Sequence, residues 1–194
     1  DAAARAQKRW LESSAPDLAT VAERVVRHDP RLWERRPDHA DFGLLRLGRS
    51  SRSWSPAFDR QVDRQVDRQV DRQVNVDALA PACRDVLATH ARLRDAPLVI
   101  EVGPGCVVGI SGTTEVVQAV ARGLIVQAVV HHGPADLWTA LATTHDRVED
   151  WAALSWLPHH TSSPDPDHTS WATTETAVRH LADDVAHRFH RQRA

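Results

Sequence analysis

From Pro97 to Thr143 the chain reads as two β-branched apolar runs, Pro97 to Val102 and Cys106 to Ile110, followed by a Ser-Gly-Thr turn at 111–113, a helix from Thr114 to His131 and a further apolar run from Asp136 to Thr143. Gly103, Pro104 and Gly105 between the first two runs predict a hairpin with a tight turn. Val117, Val120, Ala121, Leu124 and Ala128 recur at helical spacing and give the helix one apolar stripe, which Gly133 and Pro134 end. A strand, a helix and a strand in that order call for a right-handed crossover between parallel strands. The expected fold class is therefore α/β: a partial doubly wound layer with a hairpin and a β-α-β unit, preceded by two N-terminal helices. A doubly wound sheet would add another strand after the last helix, so the layer is expected to be truncated at its C-terminal end.

The flanks are helical. Ala2 to Glu12 is alanine- and charge-rich and reads as a helix continuing from upstream sequence. Leu18, Val21, Ala22 and Val25 form the stripe of a second helix that Pro30 stops, and Gly43 to Leu47 predicts a short strand. Asp77 is expected to cap a helix running to about Leu93. Beyond the core come a short helix over Val148 to Leu154, the segment Trp156-Leu157-Pro158-His159, a Ser/Pro/Asp loop and a final helix striped by Val178, Leu181, Ala182, Val185 and Phe189. The expected divisions are 1–30, 31–58, 59–76 and 77–194.

Asp59 to Val74 repeats Asp-Arg-Gln-Val four times. A period of four stacks each Val almost above the last on a helix, but one Val per turn makes neither a coiled-coil seam nor a solenoid. It reads as an exposed insertion with too little apolar surface to order itself.

Composition narrows the function. With 24 basic and 26 acidic residues in 194, the net charge of -2 gives no field that would oblige nucleic acid or an anionic membrane as partner. The longest apolar stretch, Ala119 to Val130, is cut by Arg122 and Gln127 and is too short for a membrane helix. Cys83 and Cys106 have no metal or disulfide spacing, which fits a reducing compartment. No methionine and no signal segment occur, so the chain reads as a piece of a longer protein.

The Ser-Gly turn before the long helix stands where an NTPase would carry its phosphate loop. That loop needs G-x-x-x-x-G-K-[ST], and the only lysine is Lys8. Gly109, Ser111, Gly112 and Thr113 are left as a degenerate phosphate-loop position that could bind nucleotide weakly through backbone N–H groups. Gly109 to Gly112 also falls one residue short of a G-x-S-x-G nucleophile elbow. The pairs His131, His132 and His159, His160 lack metal-ligand spacing and are expected to be solvated or capping residues. Trp33, Trp151 and Trp156 are expected to anchor segments against one another.

Three stretches, in order, resemble the FtsK/SpoIIIE-type translocases of type VII secretion, the EccC/EssC-like proteins. Leu32 to Pro37 reads LWERRP and is followed by Asp41, Phe42, Arg46 and Gly48, similar to the family's LWERR-P-x-x-x-DF-x-x-x-R-x-G block. The second stretch holds the Pro97 strand, the Gly109 to Gly112 turn, Ala121, Arg122, Gln127, His132, Pro134, Asp136 and Leu137. The third, Trp151 with Trp156, Leu157, Pro158 and His159, resembles W-x-W-x-x-WLPH, with Ala153 at the middle tryptophan position. The resemblance implies a membrane-proximal, degenerate ATPase-like module (P-loop/RecA-like) on the cytoplasmic face of the cell membrane. It would lie between upstream membrane helices and downstream FtsK-type ATPase domains, with residues 1–30 as stalk-like helices. In that setting the segment itself holds no cofactor, ATP and Mg belong to other domains of the longer chain, the whole forms a homo-oligomer, and nucleic acid is not bound directly. Trp33, Arg35, Arg36, Asp41, Trp151, Trp156, Leu157, Pro158 and His159 are the expected interface residues, with Trp156 clamping the N-terminal helices to the α/β layer. The rival from another class is a small stand-alone α/β hydrolase using Ser111 or the histidines.

Overall fold

The computed structural model describes residues 2–53, 92–161 and 170–191. The chain divides into two compact units, residues 1–20 with 43–112 and residues 21–42 with 113–194. The Asp-Arg-Gln-Val repeat and the helix expected from Asp77 lie outside the described residues, except that Arg92 and Leu93 belong to a strand.

The first unit holds α1 (Ala2–Ser14), β1 (Leu44–Ser53) and β2 (Arg92–Glu101). The strands pair antiparallel from Leu44 opposite Glu101 to Ser53 opposite Arg92, with irregularities between Arg46 and Gly48 and between Ser50 and Arg52. Leu11 of α1 packs on Leu93 and Ala96 of β2, with Ala4 and Val99 at the margin. Gly43 opens the ladder at φ +72°, and a Cβ there would sit 2.1 Å from the Val102 carbonyl oxygen, so only glycine fits. Asp95, left-handed at φ 49°, is held by Arg49, whose Nε and Nη2 reach its two carboxylate oxygens at 2.6 and 2.8 Å. Arg49 Nη2 also donates to Glu12 at 3.3 Å.

The expected hairpin does not form. Pro97 to Glu101 pairs with β1 instead, and Cys106 to Ile110 is irregular, with Val107 93% exposed. The turn between the two runs survives only as a bond from Cys106 N–H to the Gly103 carbonyl. A five-residue hairpin arm with no face to bury loses to a ten-residue ladder whose Leu44, Leu45, Leu93 and Ala96 are all buried. Without that strand the β-α-β unit expected from Cys106 onward is absent as well.

The second unit contains most of α2 (Leu18–Val26), then α3 (Thr114–His131), β3 (Leu141–Ala142), 3₁₀ turns at His145–Arg147 and Glu149–Trp156, α4 (Pro158–Thr161), β4 (Trp171–Ala172) and α5 (Glu175–Arg191). α3 has the bounds its sequence predicts. The run from Asp136 to Thr143 shortens to the two residues of β3, which pair parallel with β4. Val21, Val129 and Val130 form the core, with Leu32, Ile125 and Leu157 packed against it. Of the α2 stripe only Val21 is buried, whereas Leu18 and Val25 stay about half exposed. Near the middle of α3, the Arg122 guanidinium lies 5.3 Å from the Trp151 ring centroid and donates to the Asp150 carbonyl at 2.7 Å. The described residues thus make a mixed α/β protein with two small sheets, and no helix among them is long and apolar enough to cross a membrane.

Candidate functional site

An α-helix leaves its last carbonyls without intrahelical donors, and a buried end must find them elsewhere. The end of α3 is buried: His131 and His132 are 0% and 2% exposed. Its carbonyls are satisfied one after another by two distant stretches of sequence. Val129 O accepts the Trp33 indole N–H at 2.9 Å, and Val130 O accepts the Trp33 backbone N–H at 3.0 Å. His131 O accepts the Arg35 N–H at 3.1 Å, in an isolated parallel bridge between Arg35 and His132. His132 O accepts from His159 Nε2 at 2.7 Å, while His132 Nδ1 turns back to Ala128 O at 2.7 Å. The LWERRP and WLPH stretches therefore act together as one compound cap on α3.

Trp33 adopts φ 57°, a left-handed conformation costly for a bulky residue, by roughly 1–2 kcal/mol. Its two bonds to α3 and an edge-on contact with the His159 ring, centroids 6.0 Å apart, hold it there. Arg35, 1% exposed, sets its Nε 3.2 Å from Asp41 Oδ2 and donates from Nη1 to the Asp41 carbonyl. Burial lowers the Arg35 pKa, and Asp41 opposes that shift. Arg24, also buried, has Glu34 as counter-ion at 3.8 Å. Phe42 packs edge-on against His132 at 4.6 Å, and Arg36 reaches Asp136 at 2.7 Å from a half-exposed position.

The four paired histidines are buried, not solvated: 0% for His131, 2% for His132 and 1% each for His159 and His160. Capping holds for His132 and His159, which each bind a main-chain carbonyl. The Ser170 hydroxyl donates to the His160 carbonyl, and the His160 ring meets Trp171 at 4.9 Å. Burial, with Arg35 and Arg24 adding repulsion, pushes His131 down to about 3; burial lowers His132 and His160 too. The available signal was position, since one pair closes the apolar run of α3 and the other follows Leu157-Pro158.

Trp156 does not clamp anything: it is 88% exposed. The segment Glu149–Trp156 is 3₁₀ rather than α, and at three residues per turn Trp151, Leu154 and Leu157 share the inward face. Leu154 is buried, Trp151 and Leu157 are half-buried, and Trp156 points to solvent beside the exposed Pro158. The clamp is Trp33.

The degenerate phosphate-loop residues behave differently. Gly109, Ser111, Gly112 and Thr113 are all exposed, with the first three in one unit and Thr113 in the other. At the start of α3 the Glu115 carboxylate takes its own N–H and the Thr113 hydroxyl, which hold it below the usual carboxylate range. That carboxylate occupies the place where a helix N-terminus would receive an anion. The four paired histidines lie in packing and capping positions. Among the described residues no group of three or more His, Cys, Asp or Glu could hold a metal ion.

No family model matches the chain. It is 35% identical over 156 residues to the ESX-4 secretion system protein EccC4 of Mycobacterium tuberculosis, a match covering 80% of this chain and 12% of that protein. The ESX secretion system protein EccC of Thermomonospora curvata is 27% identical over 158 residues, 81% of this chain and 11% of the relative. The type VII secretion system protein EssC of Staphylococcus aureus is 24% identical over 159 residues, 82% of this chain and 10% of the relative. The chain thus spans only 10–12% of the length of these relatives. With similarity running over four-fifths of its length to several such proteins, the chain is an EccC/EssC-like segment of type VII secretion proteins.

Proposed function

We propose that this segment is a coupling module of an FtsK/SpoIIIE-type, ATP-driven type VII secretion translocase, itself non-catalytic or at most weakly nucleotide-binding. The observation that carries the reading is the compound cap on α3. The residues that resemble the family's most specific words build a joint, whereas the phosphate-loop position has no lysine and the first turn of α3 carries the Glu115 carboxylate, held by its own N–H and the Thr113 hydroxyl. A joint transmits force, and a pocket would be needed for chemistry. In this reading ATP and Mg belong to other domains of the longer chain, and residues 1–30 are stalk-like helices leading from the membrane at its cytoplasmic face. The homo-oligomeric translocase moves protein, and DNA is the less favoured cargo. Kinship with a P-loop/RecA-like layer rests on the resemblance; among the described residues the parallel pair β3–β4 is its only counterpart. The solvent-facing members of the two motifs, Arg36 and Trp156, would contact neighbouring domains or subunits.

Two measurements test this. Calorimetry of the chain with Mg-ATP should show no micromolar binding, and a magnesium-dependent micromolar affinity lost in Gly112→Val would refute the non-catalytic assignment. In the full-length protein, Trp156→Ala should impair export while leaving the melting of the segment unchanged. Normal export would remove Trp156 from the coupling surface.

A further inference from the structure

We propose that the compound cap is a proton-sensitive latch: it holds Trp33 and Arg35 on the end of α3 only while the sealed imidazole of His131 is neutral, and acidification releases the Leu32–Arg36 stretch while α3 itself persists. The inference does not depend on the translocase reading. His159 donates from Nε2 to the His132 carbonyl, so its lone pair sits on Nδ1, and Nδ1 is buried with no partner among the described residues. Neither His131 nitrogen has one either, although the residue is 0% exposed. A second N–H on the His131 ring would be a buried donor attached to a buried charge, with nothing among the described residues to accept it.

The surrounding charges offer no relief. Facing His131 are Arg24 from α2, Arg35 from the connection after it and His132 from α3 itself. Glu34 and Asp41 are the carboxylates at hand, and they already face Arg24 and Arg35. Asp136 is bound by Arg36. His159 is enclosed by the Trp33 ring, the His132 carbonyl and the Thr139 N–H that donates to its own carbonyl. An added proton on His131 is therefore a surplus positive charge in a cluster whose described anions are already paired.

The strain stored at Trp33 makes this segment the one to yield. Its φ of 57° persists only through the bonds to Val129 and Val130 and the contact with His159. Opening exposes the His131 imidazole, which then takes a proton at an ordinary histidine pKa. Between pH 7.5 and 5.5 the opening constant should rise about 10-fold.

Hydrogen exchange of the whole chain at pH 7.5 and 5.5, corrected for intrinsic rates, reads this directly. The amides of Trp33 and Arg35 should lose about 10-fold protection, while the amides of Leu124 and Ile125 inside α3 keep theirs. His131→Phe, which fills the site without titrating, should remove that pH dependence. If His131→Phe does not fold, the smaller and equally non-titrating His131→Asn carries the test. Less than twofold loss at Trp33 and Arg35, equal loss inside α3, or an undiminished dependence in the folded variants would overturn the latch.

Discussion

The two units are stabilised by opposite uses of arginine. In the first, Arg49 bridges Asp95 and Glu12 at the surface, each partner 40% or more exposed, and the ladder behind it is carried by Leu11, Leu93 and Ala96. In the second, Arg35 is sealed at 1% exposure with Asp41 and lies in the compound cap of α3. A surface pair trades its interaction against water and salt and contributes little, whereas a buried pair cannot lose one member without stranding the other. Residues resembling the family's most specific words fall in the second setting. Their specificity comes from geometry, since each of Trp33, Arg35 and His159 serves a different carbonyl of one helix end.

The contrast breaks most readily at Arg35. Arg35→Ala should cost about 3–5 kcal/mol in a denaturant melt of the second unit, because it leaves Asp41 without its cation and opens space beside His131 and His132. A cost below about 1 kcal/mol would mean that the cap tolerates the loss and that burial of Arg35 is incidental. The first unit has its own vulnerable point, made of backbone rather than charge. Gly43→Ala should cost about 2–4 kcal/mol, since the Cβ collides with the Val102 carbonyl in a left-handed conformation. A neutral outcome would place the start of the ladder elsewhere.

Acid sharpens the comparison further. His131 is held near 3 by burial and the arginines, and His132 and His160 are lowered by burial. Their folded values lie below the unfolded value of about 6.5, so the stability they support is complete above that pH and is lost as pH falls below it, down to about 3 for His131. The second unit should lose about 1.4 kcal/mol per pH unit for each such histidine, until folded and unfolded forms bind protons alike. The first unit contributes no described histidine and should hold its stability from pH 7 to about 5, below which its carboxylates Asp17 and Asp95, lowered by hydrogen bonds from Thr20 and Arg49, begin to count. Loss of both units in parallel would contradict the division. The smallest effects belong to the surface: Arg49→Ala should shift the midpoint slightly, and less in high salt, and Trp156→Ala should leave stability within about 0.5 kcal/mol.

The legible parts of the sequence were those where local chemistry and tertiary packing agree. α3 could be bounded because a Ser-Gly-Thr turn precedes it, Gly133-Pro134 follows it, and its apolar stripe has one period throughout. The Pro97 strand was legible as a strand but not as a partner. Gly103-Pro104-Gly105 is a strong local turn signal, whereas the true partner, Leu44 to Ser53, lies some fifty residues upstream in sequence and announces itself only through Gly43. Trp156 was misplaced because its position at a helix exit just before Leu157-Pro158 suggests an anchor, whereas the 3₁₀ turns of Glu149–Trp156 turn its ring to solvent. The solvated alternative for the histidine pairs failed because histidine is mostly seen half-exposed, and nothing in composition shows that a helix end will be buried and need imidazole donors. LWERRP and WLPH were legible as words, while what they jointly hold appears only in three dimensions.

The claim on which the rest depends is that these two words meet over the end of α3, and a double-mutant cycle between Trp33 and His159 tests it most directly. Trp33→Ala and His159→Ala should be non-additive, with a coupling of about 0.5–1.5 kcal/mol from the edge-on ring contact and the shared helix end, while Trp156→Ala with His159→Ala should add within about 0.3 kcal/mol. Additivity for Trp33 with His159, together with coupling for Trp156, would contradict the joint and return Trp156 to the role of clamp.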